Sequence, residues 1–530
     1  MNVRRSVVAA AALAGLALVG NAASAGTLSP VGPEFTLNSL LSYVQKQPWI
    51  ACDQHGNFVM VYSQDDIYFR RFDRNGTPLG PDTKVNPTIN HSTQDEPYVA
   101  MDPVTGDFVI GWSDRNGNDG FDMGCGIRFY HADGTPYGPE FFCHTVTSFS
   151  QFEPHMAYST QGHVMVVWAD AALDGVCGVF ARVFDRDGTP LTGQFLVNTP
   201  NSASQIDPTV SCDQDGRFVV AYVDASGQTG PPREVQARLY DNDGNPLSTP
   251  FLVNSTSVGM QRDPNVVMAF DGSFVVTFVD ESGLDGDKFG VFARRFDKNG
   301  VAQGPQFLVN QTTIGDQRDP QVWMDHVGNF TICWEDNTTG TDSNVMARRY
   351  DRFGTALSGE FVLHANTAGN QYEPKVACSR SGQRLIALWA ASSTDVHGRV
   401  FDLETIVPSG PAAIGTTIQL GLDLPGAGNE TYLLMASLGS TPGLPLSDGR
   451  TLPLNFDALM QFTIQFPNTS LFGGLTGTLT PTGSATATFS VPNTPVAIGI
   501  PITFAAITLN PPNSTHIVHA LTDARVVVIQ

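Results

Sequence analysis

Lysine is nearly absent from this 530-residue chain, and charged residues make up only 15% of it. The balance is acidic, with a formal net charge of −22, and no basic run follows Arg4 and Arg5. Such a chain repels phosphate backbones and anionic headgroups, so nucleic acid and membrane surfaces are not its expected partners. Long apolar runs are also lacking. The stretch at residues 7–20 is too short to span a bilayer, and nothing later approaches the length needed. No G-x-S-x-G elbow, H-E-x-x-H, C-x-x-C or P-loop occurs, so the sequence offers no ready-made nucleophile, zinc or phosphate site. Seven cysteines cannot all pair with one another.

What the chain does have is repetition. Gln45-Lys46-Gln47-Pro48 returns as Gln94-Asp95-Glu96-Pro97, Gln151-Phe152-Glu153-Pro154, Gln205-Ile206-Asp207-Pro208, Gln261-Arg262-Asp263-Pro264, Gln317-Arg318-Asp319-Pro320 and Gln371-Tyr372-Glu373-Pro374. The prolines recur every 49 to 57 residues. A period of this size means units that cannot bury their apolar faces alone and must stack on neighbours.

The fifth unit shows the local pattern. Residues 264–268 read as a first strand, Asp271-Gly272 as a tight turn, and 274–278 as a second strand apolar on both faces. Residues 291–296 read as a third strand, Asn299-Gly300 as another turn, and 305–310 as a fourth strand. Each second strand carries one aromatic: Tyr62, Trp112, Trp168, Tyr222, Phe278, Trp334 or Trp389. Four antiparallel strands repeated radially predict an all-β fold, a seven-bladed β-propeller over residues 26–403, with these rings wedged between blades. The seventh unit stops after Asp402 without a fourth strand, while Gly32-Pro33-Glu34-Phe35-Thr36-Leu37-Asn38 repeats the fourth-strand pattern of the others. Residues 32–38 should therefore close the ring and remove its sheet edges.

Units of the form P-x-V-x-x-D-x-x-G-x-F-V-V-x-W-x-D followed by F-A-R-R-F-D-x-x-G-x-P-L-G-x-x-F-x-V-N resemble a propeller repeat of large secreted and surface proteins of bacteria. The resemblance implies extracellular or envelope placement and no particular reaction. The N-terminus agrees with export: Arg4 and Arg5, the apolar residues 7–20 and Ala23-Ser24-Ala25 have the layout of a signal peptide over residues 1–25. Beyond the repeats, Pro408-Ser409-Gly410-Pro411 marks a linker at 404–412. Strand-like runs at 417–422, 431–437, 460–466, 485–491, 502–509 and 525–529, with no helical periodicity, predict a β-sandwich over 413–530. Its Pro453-Leu454-Asn455-Phe456-Asp457 and Gly483-Ser484-Ala485-Thr486-Ala487 resemble a C-terminal module of exported planctomycete-like proteins, which implies only an appended secreted domain.

Three sets of residues are candidates for chemistry. An arginine holds one position in every repeat: Arg70, Arg128, Arg182, Arg238, Arg294, Arg348 and Arg399. Acids precede six of the prolines (Glu96, Glu153, Asp207, Asp263, Asp319 and Glu373), and Asp114, Asp170, Asp224, Asp280 and Asp336 follow the second-strand aromatics. All should lie near one rim. They form either an acidic mouth for a cation or sugar, or one Arg–carboxylate clamp per blade. Exact repetition favours the clamp, because a ligand site breaks symmetry. The loop at 114–122 places oxygens at Asp114, Asn116 and Asn118 with calcium-loop spacing, but Cys125 stands where the closing glutamate should be. Calcium is the one cofactor the sequence suggests; none is otherwise expected. Cys125 and Cys143 flank a hairpin turn symmetrically and are a possible disulfide, with Cys177 a rival partner. Cys52, Cys212 and Cys378 share a position with Met101, Tyr158, Met268 and Met324 and read as core thiols.

The functional expectation is an exported, monomeric, non-catalytic binding module with an extracellular ligand, glycan or protein. The alternative is a secreted carbohydrate hydrolase or lyase with paired carboxylates in the acidic mouth. The second unit departs most from the pattern, at 114–125, and the fourth departs at Gly230-Pro231-Pro232.

Overall fold

A computed structural model describes residues 28–530, apart from 41–43, 88–93, 121, 172–176, 201–202, 226–232, 326–327, 339–341, 367–368, 380–383, 393–394, 404–405, 409–410, 425–428, 441–442, 447–450, 482, 510–517 and 523–524. The segment read as a signal peptide, residues 1–25, and the Gly230-Pro231-Pro232 departure lie outside the described residues.

Between Leu28 and Leu403, seven antiparallel sheets follow one another along the chain. The fifth consists of Gln261–Met268, Phe274–Asp280, Gly290–Phe296 and Phe307–Leu308, paired in that order. The long middle strands form because β-branched and aromatic residues fill both faces, and every residue of Phe274–Asp280 is buried. The turn before the outer strand is written in its side chains. Asp297 Oδ1 accepts from the N–H groups of Asn299 and Val301, and Gly300 takes φ +80°, which L side chains resist.

The outer strand is two residues long rather than the six expected at 305–310. Its end is continued by a side chain. Asn310 Oδ1 accepts the Val291 N–H at 2.9 Å, a bond that a longer strand would have made with its backbone.

The sheets form a ring. The first strand of each sheet touches the first strand of the next, and that of the seventh, Gln371–Cys378, touches that of the first, Lys46–Cys52. This is the β-propeller arrangement. Hydrophobic clusters span adjacent sheets: Trp112 sits with Val59, Val61 and Phe69 of the sheet before it, and Trp334 with Val275, Val291 and Ala293. Each second-strand aromatic is buried at such a junction, and each buried ring is worth about 1.5–3 kcal/mol of transfer energy.

The N-terminal segment joins the seventh sheet at its edge. Leu28–Pro30 pairs with 401–403, and Phe35–Thr36 pairs with His397 and Gly398 of the strand Val396–Leu403. Leu37 is fully buried, and its N–H donates to Val396 O. The pairing therefore begins upstream of the 32–38 segment read from the repeat.

After Leu403, Ile406–Pro408 pairs with Thr417–Asp423, so the span read as linker contributes a strand. That sheet continues through Ser484–Ser490 to Phe472–Gly473. A second sheet holds Thr476–Thr478, Thr431–Ser437 and Pro501–Leu509, with Val518–Leu521 and Arg525–Val528 both pairing to Pro501–Leu509. One core joins the two sheets, with Leu420, Leu422 and Phe489 from the first and Leu434, Phe504 and Ala506 from the second.

The run expected as a strand at 460–466 is a helix, Ala458–Gln465. Asp457 caps it by accepting from the Met460 N–H at 2.9 Å, and Ala458-Leu459-Met460-Gln461 are strong helix formers. Two turns are too short to display a 3.6-residue period. No helix among the described residues is long and apolar enough to cross a membrane.

Candidate functional site at the mouth of the ring

Around the start of each first strand stand a Gln, a variable residue, an acid (Gln47 in the first sheet) and a proline. The residue before the proline has positive φ in every sheet: Gln47, Glu96, Glu153, Asp207, Asp263, Asp319 and Glu373 lie between 49° and 56°. The pairing register slips at the same place, as between Phe152 and His155, which marks a β-bulge. Non-glycine residues resist this conformation, so it needs compensation. The side chains supply it. Glu373 Oε2 accepts the Gln47 N–H at 2.8 Å, and Gln47 Oε1 accepts the Glu96 N–H at 2.9 Å. Ser113 Oγ accepts the Glu153 N–H and donates to Glu96 Oε2. The bulges of the first three sheets are thus held by the sheet before each, and the acids form a collar around the channel mouth.

Crowding raises the carboxyl pKa values. Burial, then the neighbouring Asp207 and Glu96, push Glu153 up to about 8. Burial pushes Asp263 up to about 6 against the opposing Arg262, with Asp319 and Asp207 adding to the rise. Burial also raises Asp207, with Arg233 and Arg262 opposing it. It raises Glu96 and Glu373 as well, with Lys375 opposing the rise in Glu373. The Glu153–Asp207 pair thus favours sharing a proton over full ionisation.

Two columns flank this collar and differ from sheet to sheet. Just before it stand Lys46, Asp95, Phe152, Ile206, Arg262, Arg318 and Tyr372, all partly or fully exposed. Cations enter the mouth here: Arg115 pairs with Asp95 and Glu96, and Arg262 with Asp263 and Glu281. Arg262 and Arg318 both lie over the Phe289 ring, at 5.3 and 4.9 Å. Just after the prolines stand Trp49, Tyr98, His155, Thr209, Asn265, Gln321 and Lys375, which form a throat. Trp49 and Tyr98 are 4.3 Å apart between ring centroids, and Tyr98 and His155 are 4.2 Å apart. Burial, with Lys375 adding to it, pushes His155 down to about 3, so the imidazole is neutral. Sequence reasoning missed both columns because it searched for what repeats. Their signal was variation at fixed spacing between two invariant positions.

The clamp arginines do not meet the collar acids. Arg294 Nε donates to Gly304 O of its own sheet at 3.2 Å, and Nη1 donates to Val253 O of the preceding sheet at 2.8 Å. Arg70, Arg128, Arg182, Arg238 and Arg348 make the same two bonds, reaching back to Leu37, Val85, Cys143, Val197 and Val309. All seven guanidinium groups, Arg399 included, lie 5.2–5.6 Å over the aromatic ring two residues on. The reason is topological. The arginines sit on third strands and the acids on first strands, with a whole strand between them. The clamp ties neighbouring sheets through carbonyls, not through Glu96, Glu153, Asp207, Asp263, Asp319 or Glu373.

The second set of aspartates is also spoken for. Asp114, Asp170, Asp224, Asp280 and Asp336 each accept from the Nε2 of the glutamine that opens their sheet. In several sheets the same glutamine accepts from an asparagine of the preceding sheet, as in Asn198 to Gln205 to Asp224. These buried relays stitch one sheet to the next.

At the calcium candidate, the Asp114 carboxylate accepts from Asn116 N, Asn116 Nδ2 and Asn118 Nδ2. The two asparagines thus turn amide nitrogen toward Asp114. Cys125 on the third strand of the second sheet faces Cys143, the residue after the fourth strand Phe141–Phe142, and Cys143 N donates to Cys125 O at 3.0 Å. Both are buried and stand as free thiols. Cys52 Sγ donates to Cys378 O and Cys212 Sγ to Tyr158 O, so these thiols serve sheet packing.

No family model matches the sequence, and no curated protein matches it either. Solved structures do resemble it. A protein of unknown function from Dyadobacter fermentans DSM 18053 aligns at TM-score 0.44 and 11% identity, over 71% of this chain and 99% of its own. The Penicillium chrysogenum alpha-L-arabinanase complexed with arabinobiose aligns at TM-score 0.44 and 14% identity, over 71% and 98%. The polysaccharide lyase Uly1 aligns at TM-score 0.44 and 9% identity, over 66% and 88%. Likeness at this level assigns no activity.

Proposed function

We propose that the protein is an exported seven-bladed β-propeller with a C-terminal β-sandwich, and that it engages a carbohydrate at its acidic mouth. One observation carries this reading. At the mouth, the repeats stop being alike. Above an acid collar of near-constant composition, the rim offers Phe152 and Tyr372 as stacking rings, Arg262, Arg318 and Asp95 as directional hydrogen-bonding groups, and Ile206 as an apolar edge. Rings beside charged, bidentate partners suit a polyhydroxylated ligand with apolar ring faces. A glycan array probed with the mature chain tests it. Binding to a defined glycan class that weakens in Tyr372→Ala supports the reading; a silent array overturns it.

Glu153 and Asp207 favour a second reading, a hydrolase or lyase. The two carboxyls are hydrogen-bonded to each other and burial raises both, so between them they can hold one proton for acid–base work at a glycosidic bond. Turnover of any array hit by the wild-type chain, lost in Glu153→Gln, would establish it. Binding without turnover leaves the protein a binding module. Export would also place Cys125 and Cys143 in an oxidising compartment, where the facing thiols can join as a disulfide.

A further inference from the structure

Below the throat the channel widens into a cavity of about 190 Å³ that runs to the opposite, turn-bearing face of the ring. It exists because the residue three after each proline is small in most sheets: Ala51, Ala100, Ala157 and Ser211 line it, and Trp323 faces them from the sixth sheet. Valines and methionines make up much of the rest of the wall, and Asp53, Asp213, Gln214 and Asp325 also line it. One lining residue is a cation: Lys375 is only 9% exposed. Its ammonium makes one long hydrogen bond, 3.4 Å to Pro374 O, and lies 4.9 Å from the Trp49 ring. No carboxylate stands within ion-pair distance of it among the described residues. An ammonium has three donors. The Glu373 carboxylate acts on it only from beyond hydrogen-bonding distance, so the buried ammonium keeps donors for a hydrogen-bonded anion. Asn265 and Gln321 stand beside it at the same level and add amide groups.

We infer that this lower cavity is a second binding site, distinct from the carbohydrate mouth, for a small apolar monocarboxylate. Its carboxylate meets Lys375, and its hydrocarbon or aryl body fills the space between Trp323 and the alanine wall. The collar acids precede the prolines and the cavity residues follow them, so the two sites occupy successive levels of the channel. Aspartates at the open end do not defeat an anion. The Asp53, Asp213 and Asp325 carboxylates are already engaged by the N–H groups of their own turns.

The test uses the full chain and two probes of equal shape, 3-phenylpropanoate and 3-phenylpropan-1-ol, titrated by calorimetry and by tryptophan fluorescence. The acid should bind saturably and at least about tenfold more tightly than the alcohol, the difference expected for one charge-assisted contact. Lys375→Met should erase that preference while leaving alcohol binding in place. Ala100→Leu, which fills the cavity, should weaken both. Equal affinity for acid and alcohol in the wild-type chain, or saturable binding of neither, overturns the proposal even if a variant fails to fold.

Discussion

The Gln47 N–H donates to the Glu373 carboxylate at 2.8 Å, across the seam where the first sheet meets the last. These residues are 326 positions apart in sequence. The bond repeats at the seam what holds the next two junctions of the collar, where the Glu96 N–H donates to Gln47 and the Glu153 N–H to Ser113. The N-terminal segment reinforces the seam from the outside. Leu37 O accepts from Arg70, and Asn38 Oδ1 accepts from Val396 N.

Removing the closing segment should therefore be costly. A chain beginning at Ser39 loses the pairs at 28–30 and 35–36, the buried Leu37 and the Arg70 acceptor. It should melt earlier and aggregate through the bare strand edge. Unchanged thermal unfolding of this truncation would contradict the closed ring.

Each clamp arginine holds two carbonyls and covers one ring. Arg294→Ala should destabilise by about 1–3 kcal/mol in denaturant titration, with a similar loss for Arg182→Ala and Arg348→Ala. Lysine cannot make both bonds and the stack at once, so Arg294→Lys should recover little of that. Full recovery by lysine would show that charge alone matters there.

The propeller pattern was legible because the invariant columns are structural. The glutamine and the second-strand aromatic each hold one sheet to the next, as does the asparagine after the outer strand in the five sheets that have it. Partner type was not legible. Arginine serves carbonyls as readily as carboxylates, and only the intervening second strand shows why Arg294 cannot reach Asp263. The throat was hidden for the opposite reason. Trp49, Tyr98, His155 and Lys375 share no residue type, so a search for repetition passes over them. The helix Ala458–Gln465 is too short to show a period, and its apolar run imitates a strand.

Glu153 gives the fold a pH dependence of known sign. Its folded pKa, about 8, lies above the unfolded value near 4.3. The folded state then holds a proton that the unfolded chain releases, so this stability is full below about pH 4 and is lost as pH rises toward 8. Asp263, raised to about 6, acts in the same direction. The melting temperature should fall between pH 5 and pH 8, and Glu153→Gln should flatten the fall. A steeper fall in the variant would reverse the assignment.

Calcium should leave the melting temperature nearly unchanged, because amide N–H groups already occupy Asp114. A ligand that bound the folded state would raise it with concentration. A rise of several degrees in millimolar calcium, abolished by Asp114→Ala with Asn116→Ala, would make the loop at 114–122 a metal site.

Protein recovered from an oxidising compartment should carry one disulfide, between Cys125 and Cys143. Alkylation under denaturing conditions followed by intact mass would show two fewer adducts than after reduction, and peptide mapping would join these two residues. Full alkylation without reductant would show that the facing thiols stay free.

The central claim is that the variable rim, and not the repeated scaffold, recognises the ligand. The most direct measurement compares glycan binding by the wild-type chain, by Phe152→Ala with Tyr372→Ala at the rim, and by Arg294→Ala in the clamp. The rim pair should lose at least about tenfold in affinity, near 1.4 kcal/mol, at an unchanged melting temperature. The clamp variant should melt earlier and bind as the wild type does. Loss of binding in the clamp variant with full binding in the rim pair would contradict the account.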